Sequence, residues 1–272
     1  MSSNCIYYES FDENFYNKTY KVTNEKKEKE ELFNHWLKYG KNLDYVINKE
    51  QLKDRLSLNI NYNKELIKIT NFKSNNSLEF NILIRTSERH DFFKKCVESI
   101  LNQKYRGKIN IYVTCDTLNT CKYVQNYKNL EYIFINKKNN TYGFNLYCNK
   151  LLDMVKDGWI IFLDDDDMFL TDNALEIISN SITHENDLII WNFLRADKII
   201  KPGVVLKKGE LDTTCFCFHS KYKKNSNWVP IRCSDYYFFK KLDEKTKFNK
   251  KFLNLSLVKT IYENSIASFG LS

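Results

Sequence analysis

The 272 residues are 43% apolar and 15% aromatic, enough to bury a real core in one large domain or in one domain with a small appendage. Charged residues make up 28%, and no apolar run approaches the ~18 residues that a bilayer crossing requires, which excludes a transmembrane helix. The formal charge of +8 suits an anionic ligand, such as a nucleotide, a phosphorylated substrate or nucleic acid, without choosing among them.

The opening residues, MSSNCIYYESFDENF, have neither the basic start nor the apolar centre of a signal peptide, so a cytoplasmic location is expected. Cys5, Cys96, Cys115, Cys121, Cys148, Cys215, Cys217 and Cys233 form no C-x-x-C pair and sit mostly among apolar residues. They read as buried free thiols in a reducing compartment. The densest charge run, NEKKEKEELF, mixes signs and reads as the exposed side of a helix.

In chain order, residues 1 to about 57 carry Leu32, Trp36, Leu37 and Val46 at helix-like intervals. Thr70 to Glu79 has the composition of a linker. From there the rhythm changes. FNILIR is a short apolar run of the buried-strand kind, and DFFKKCVESILNQ then places Phe92, Phe93, Cys96, Val97, Ile100 and Leu101 on one helical face. KINIYVTC is a second strand, TLNTCKYVQNY a helix, LEYIFI a strand, YGFNLYCNKLLDMV a helix and WIIFL a strand. This alternation predicts an α/β fold, with a mostly parallel sheet covered by helices on both faces. A helical module with its linker, residues 1–75, precedes the main domain, 76–272.

WIIFL runs directly into four consecutive aspartates, Asp164 to Asp167. Two carboxylates about 4 Å apart repel by roughly 4 kcal/mol at an effective dielectric near 20, so the cluster calls for a cation, a proton or open solvent. Ligands of parallel α/β sheets bind beyond the carboxyl ends of the strands. Asp116 ends IYVTC, and RTSERHD brings Thr86, Ser87 and Arg89 to the same edge. Each of these residues alone is also a common turn or cap residue, whereas three such sites converging on one edge point to a crevice.

From residue 80 to about 243 the chain resembles a family-2 glycosyltransferase of the Rossmann-like GT-A fold. The resemblance is carried by ILIRTSERHDFFKKCVESILNQKY and by DGWIIFLDDDD, which is similar to the family's D-x-D region. It implies a nucleotide-sugar donor, a UDP-sugar first among the candidates, and transfer to a hydroxyl of a glycan or protein acceptor with inversion. Carried over by position, Thr86 and Asp116 contact the nucleoside base, with Arg89 nearby. Asp164 and Asp166 form the motif around ribose and metal, and Asp165 fills the variable place beside the ribose. The implied ion is Mn²⁺ or Mg²⁺, which suits hard carboxylate ligands shared with substrate phosphates. Asp235, ahead of a helix in CSDYYFFKKL, takes the place of the catalytic base, and it is also a residue type favoured at a helix N-terminus. His219, in TTCFCFHSKY, takes the place of a third metal ligand.

The chain departs from the family at Arg85, Ser87 and His90 after the first strand, and at Tyr147-Cys148-Asn149, where the family carries a small-residue run ending Ala-Arg-Asn. The N-terminal segment is similar to a small helical module found beside glycosyltransferase domains. Its Phe15, Tyr16, Trp36 and Tyr39 form either the module's own core or a carbohydrate or partner surface. IYENSIAS is faintly similar to the family's closing strand and turn. Two other readings stand beside the transferase. A nucleotidyltransferase calls for a glycine-rich phosphate loop, and RTSERHD has no glycine. A degenerate GT-A domain would bind a sugar or a partner without turnover. Nucleic-acid binding is not expected, because no basic stripe is interleaved with stacking aromatics.

Overall fold

The computed structural model describes residues 11–14, 16, 28–35, 37, 76–136, 142–195, 198–203 and 207–260. The chain divides into two compact units, with described residues 11–37 in the first and 76–260 in the second. In the first unit, helix α1 (Lys29–His35) buries Leu32 and Phe33 against Phe11 and Tyr16, with Leu37 packed alongside. The Phe11 ring lies 5.0 Å from Tyr16 and meets Phe33 edge-on at 5.4 Å, and the Tyr16 hydroxyl is 3.1 Å from His35 Nδ1. Tyr16 therefore belongs to this unit's own core. Phe15, Trp36, Tyr39, Val46, Cys5 and IYENSIAS lie outside the described residues.

The second unit is built on a nine-stranded sheet, counted among the described residues, in the order β3-β2-β1-β4-β8-β6-β9-β5 with β7 on β6. Its first half follows the sequence expectation: β1 (Glu79–Thr86), β2 (Lys108–Cys115), β3 (Glu131–Phe134) and β4 (Trp159–Phe162) are all parallel. Helices α2 (His90–Leu101), α3 (Leu118–Val124) and α4 (Tyr147–Met154) connect them. Phe93, Cys96, Val97 and Ile100 form the buried stripe of α2 at the expected spacing. Leu101, expected on that stripe, is the last residue of the helix, with Asn102 as its cap, and is 48% exposed.

The second half is mixed. It comprises β5 (Asp167–Phe169), α5 (Ala174–Ser181), β6 (Asp187–Arg195), β7 (Lys198–Ile200), β8 (Phe216–His219), α6 (Ser234–Thr246) and β9 (Asn249–Thr260). β8 runs antiparallel to both neighbours, β4 and β6, while β9 is parallel to β6. Six of the nine strands thus share one direction, and β5, β7 and β8 oppose it.

Two local devices set the start of β4. Gly158 has φ +93°, and a Cβ there would sit 2.6 Å from the Glu79 carbonyl oxygen, so the approach of the chain to β1 needs glycine. Asn81, buried in β1, donates to the Asp157 carbonyl at 2.7 Å and fixes the same turn from the other side. Beneath the carboxyl edge lies an aromatic core. Trp228 stacks on Phe238 of α6 with ring centres 4.8 Å apart, and Phe162 meets both edge-on. Burying side chains of this size contributes roughly 2–3 kcal/mol each and anchors the start of α6 beside β4.

Candidate active site

The four aspartates leave β4 in a tight turn in which the Asp167 N–H donates to the Asp164 carbonyl at 2.9 Å. This fold-back turns Asp164, Asp166 and Asp167 toward one another, with one carboxylate oxygen from each lying within 4.8 Å of the others. Asp165, Asp166 and Asp167 are buried.

Guanidiniums supply much of the compensation. Arg85 grips both oxygens of Asp164, with Nε donating to Oδ1 at 2.6 Å and Nη2 to Oδ2 at 2.7 Å, and its Nη1 donates to Asn145 Oδ1 at 2.7 Å. Its plane lies 5.0 Å from the Phe144 ring centre and 6.0 Å from that of Trp228. Arg89 binds both oxygens of Asp165 and donates to Asp166 Oδ2 at 3.2 Å. These are charge-assisted, forked pairs of a kind lysine cannot reproduce.

The balance is still negative. Asp212, in the segment before β8, is buried and paired to Arg195, and its charge is felt by Asp166, Asp167 and Asp235. Six carboxylates therefore gather around the three guanidiniums of Arg85, Arg89 and Arg195. Burial, with the neighbouring carboxylates adding to it, holds Asp166 and Asp167 above the ordinary carboxylate range. Asp167 Oδ1 is buried without a hydrogen-bond partner. Hard oxygen donors, excess negative charge and an unmatched buried carboxylate oxygen fit a divalent cation of the Mg²⁺ or Mn²⁺ kind.

Asp235 stands in the first turn of α6, where its Oδ1 accepts the Tyr236 N–H at 2.8 Å. Burial first, then the Asp212 charge, push its carboxyl up to about 6, against the pull of Arg85. Such a group is ionised near neutrality yet remains a competent proton acceptor. The loop leading to it is tied to α4: Asn149 Nδ2 donates to the Trp228 carbonyl, the Trp228 N–H returns to Asn149 Oδ1, both at 2.9 Å, and Asn145 Nδ2 donates to the Ile231 carbonyl at 3.0 Å. Cys233, immediately before α6, is left-handed at φ 58°, as is Glu88, next to Arg89, at φ 52°. Unfavourable backbone at two loops that both present charge to one edge is the pattern seen where geometry serves a site.

Thr86 ends β1, buried, with its hydroxyl 2.9 Å from Tyr123 OH and also hydrogen-bonded to Asp165. Asp116 follows β2, directly before Thr117, whose side chain caps α3 by accepting the Thr120 N–H at 3.1 Å. Thr86, Arg89, Asp116, Asp164, Asp165 and Asp166 are thus all set at the carboxyl edge of the parallel strands, and the Arg85 and Asp212 charges act on Asp235.

His219 is the exception among the expected site residues. It pairs in register with Trp159 at the start of β4, five positions before Asp164, so at about 3.3 Å per residue it lies some 16 Å from the acidic turn. Its Nε2 faces Asp157 at 3.7 Å and its ring packs edge-on against Trp159. The reason is the direction of β8: the end of an antiparallel strand falls at the edge opposite the ligand, and its beginning falls at the site. That same reversal delivers Asp212, which sequence reasoning passed over. Arg85 and Asn145 were also missed as site residues, and the departure from the family at position 85 was the available signal.

The model of glycosyl transferase family 2 matches residues 81–254, and the chain belongs to that family. Among solved structures, S. aureus TarS 1–349 in complex with UDP superposes with TM-score 0.56 at 13% identity, over 68% of this chain and 60% of that one. The same TarS fragment with UDP-GlcNAc gives 0.54 at 14% identity, over 69% and 60%. Mannosyltransferase PcManGT from Pyrobaculum calidifontis in complex with GDP-Man and Mn²⁺ gives 0.52 at 8% identity, over 76% and 65%. The shared fold is GT-A. This chain spans 60% of the length of TarS 1–349. A search of curated proteins finds no match.

Proposed function

We propose that residues 76–272 form a metal-dependent glycosyltransferase domain that moves a sugar from a nucleoside diphosphate, a UDP-sugar in the first instance, to an acceptor hydroxyl with inversion. The observation that carries this reading is the meeting at one sheet edge of a folded-back aspartate turn with an unmatched buried oxygen and the electrostatic reach of Asp235. The solved relatives bound to UDP, UDP-GlcNAc, and GDP-Man with Mn²⁺ support a nucleotide-sugar donor and a divalent ion.

Asp164, Asp166 and Asp167 would hold the ion, which when bound neutralises charge on the leaving diphosphate. Thr86 and Asp116 orient the base, and Arg89 lies where a phosphate could take over one of its carboxylate partners. Asp235 accepts the proton of the attacking hydroxyl. We expect Asp235→Asn to keep nucleotide binding and to lose transfer by about 10²–10⁴-fold, as measured by calorimetry and by donor turnover. Undiminished transfer would assign the base elsewhere.

One observation favours a second reading, a domain that binds donor without turnover: Arg85 already occupies both oxygens of Asp164. In that case donor turnover is absent in the wild-type chain and unaffected by Asp235→Asn.

A further inference from the structure

Cys115 and Cys121 meet where β2 gives way to α3. Cys115 is the last residue of β2 and fully buried, and Cys121 lies half-buried on α3. Their Sγ atoms are 2.8 Å apart, within about 1 Å of the length of a disulfide bond. The surrounding backbone holds both in place. The Cys121 N–H donates to the Thr117 carbonyl at 3.0 Å, in the turn that the Thr117 side chain caps, and the Ile135 N–H donates to the Cys115 carbonyl at 2.9 Å. Burial, and then the neighbouring Cys121, push the Cys115 thiol well above its ordinary range. Leu118, three residues before Cys121 on α3, is 75% exposed, so Cys121 is the sulfur of the pair that meets a reagent from solvent first.

We propose that Cys115 and Cys121 form a redox-active dithiol, a modification site at which a hydroperoxide closes an intramolecular disulfide. The Cys121 thiolate attacks one peroxide oxygen and the O–O bond breaks. An alcohol leaves, or water when hydrogen peroxide is the oxidant, and Cys121 becomes a sulfenic acid. The Cys115 sulfur then attacks the Cys121 sulfur, the S–S bond forms, and the displaced hydroxide leaves as water with the Cys115 proton. Two electrons pass from the thiols to the hydroperoxide. A small-molecule thiol reverses the change by exchange and is itself oxidised to its disulfide. The bond encloses Asp116 to Thr120, and the Thr120 hydroxyl accepts the Glu88 N–H at 2.9 Å, so it fastens the turn of α3 that already holds the segments following β1 and β2. Closing it moves the sulfurs little and restricts the unfolded chain, so oxidation stabilises the fold. The chemistry holds whether or not the domain transfers a sugar.

The test treats the full chain with hydrogen peroxide, labels the remaining thiols with a maleimide in denaturant and maps the peptides by mass spectrometry. A disulfide joining Cys115 to Cys121 is expected, with both thiols lost to the label and both returned by dithiothreitol. The oxidised chain should melt on the order of 5 °C above the reduced chain. In Cys121→Ser the Cys115 thiol should stay free, and in Cys115→Ala the Cys121 thiol should go on to the sulfinic acid. Sulfinic acid at Cys121 in the wild type, a linkage of either sulfur to another cysteine instead, or both thiols left free overturns the proposal. A lower melting temperature after oxidation overturns it too, because the bond would then strain the fold. Mapping of the wild type keeps the test decisive if either variant fails to fold.

Discussion

Arg85 and Arg89 answer the problem that four adjacent aspartates pose, and they do so from within the chain. The repulsion in the turn called for a cation, and the chain supplies two guanidiniums that bind Asp164, Asp165 and Asp166 while an excess of carboxylates remains. That excess acts on Asp235. Partial burial first, and then the like charge of Asp212, push its carboxyl up to about 6. In the role of base proposed for it, Asp235 works only when ionised, so kcat/KM should fall as pH drops through that value. Asp212→Asn removes the like charge, which lowers the Asp235 pKa and moves the acid limb of the profile downward by about one unit, equivalent to about 1.4 kcal/mol. A limb that stays in place or moves upward contradicts this coupling. At this scale the sequence revealed the residues that follow parallel strands, Thr86, Asp116 and Asp164, because strand ends in such a sheet share one edge. It could not reveal the grip of Arg85 on Asp164, which joins positions 79 apart, or the placement of His219, which depended on the direction of β8.

At the scale of elements, the helices and strands from 79 to 162 were legible because apolar runs and 3.6-residue stripes alternate with clear breaks. The elements after Asp167 were less so. β5 is three residues long and exists through pairing with β9, Asp167 opposite Thr260, a partnership no local pattern encodes. The junction of β6 and β9 is pinned by Asp187. Its Oδ2 accepts the Thr183 N–H at 2.7 Å, the His184 N–H at 2.9 Å and Lys251 Nζ at 2.7 Å, and its Oδ1 accepts Asn249 Nδ2 at 2.7 Å. Burial works to raise its pKa, but Lys251 and the Thr183 and His184 N–H groups hold it well below the ordinary range. A depressed carboxylate contributes stability above its unfolded pKa of about 3.9 and loses it as pH falls toward the folded value. Asp187→Asn should therefore cost about 3 kcal/mol at pH 7, with the deficit shrinking below about pH 4. Urea unfolding at pH 7 and at about pH 2, where most of that contribution is gone, measures it. An equal deficit at both would show that charge is not the source.

For the whole molecule, the α/β class and the GT-A resemblance were readable from strand order and from the D-x-D region, and the family match over residues 81–254 agrees with them. The mixed second half of the sheet was not readable, because DLIIWNFLR is an apolar run whose neighbours come from distant segments, β8 on one side and β9 on the other. Among the described residues no helix is long and apolar enough to cross a membrane. The sheet sets the acidic turn at one edge, where the charges of Arg85 and Asp212 reach Asp235, and the proposed function requires that turn to bind a divalent ion together with a diphosphate. The most direct measurement is the melting temperature of the full chain with UDP, with and without Mn²⁺, for wild type and Asp166→Ala. Because a ligand selective for the folded state raises the melting temperature, stabilisation is expected only when UDP and Mn²⁺ are both present, and only in the wild type. Equal stabilisation by UDP without metal, or an undiminished metal-dependent shift in Asp166→Ala, would contradict the assignment.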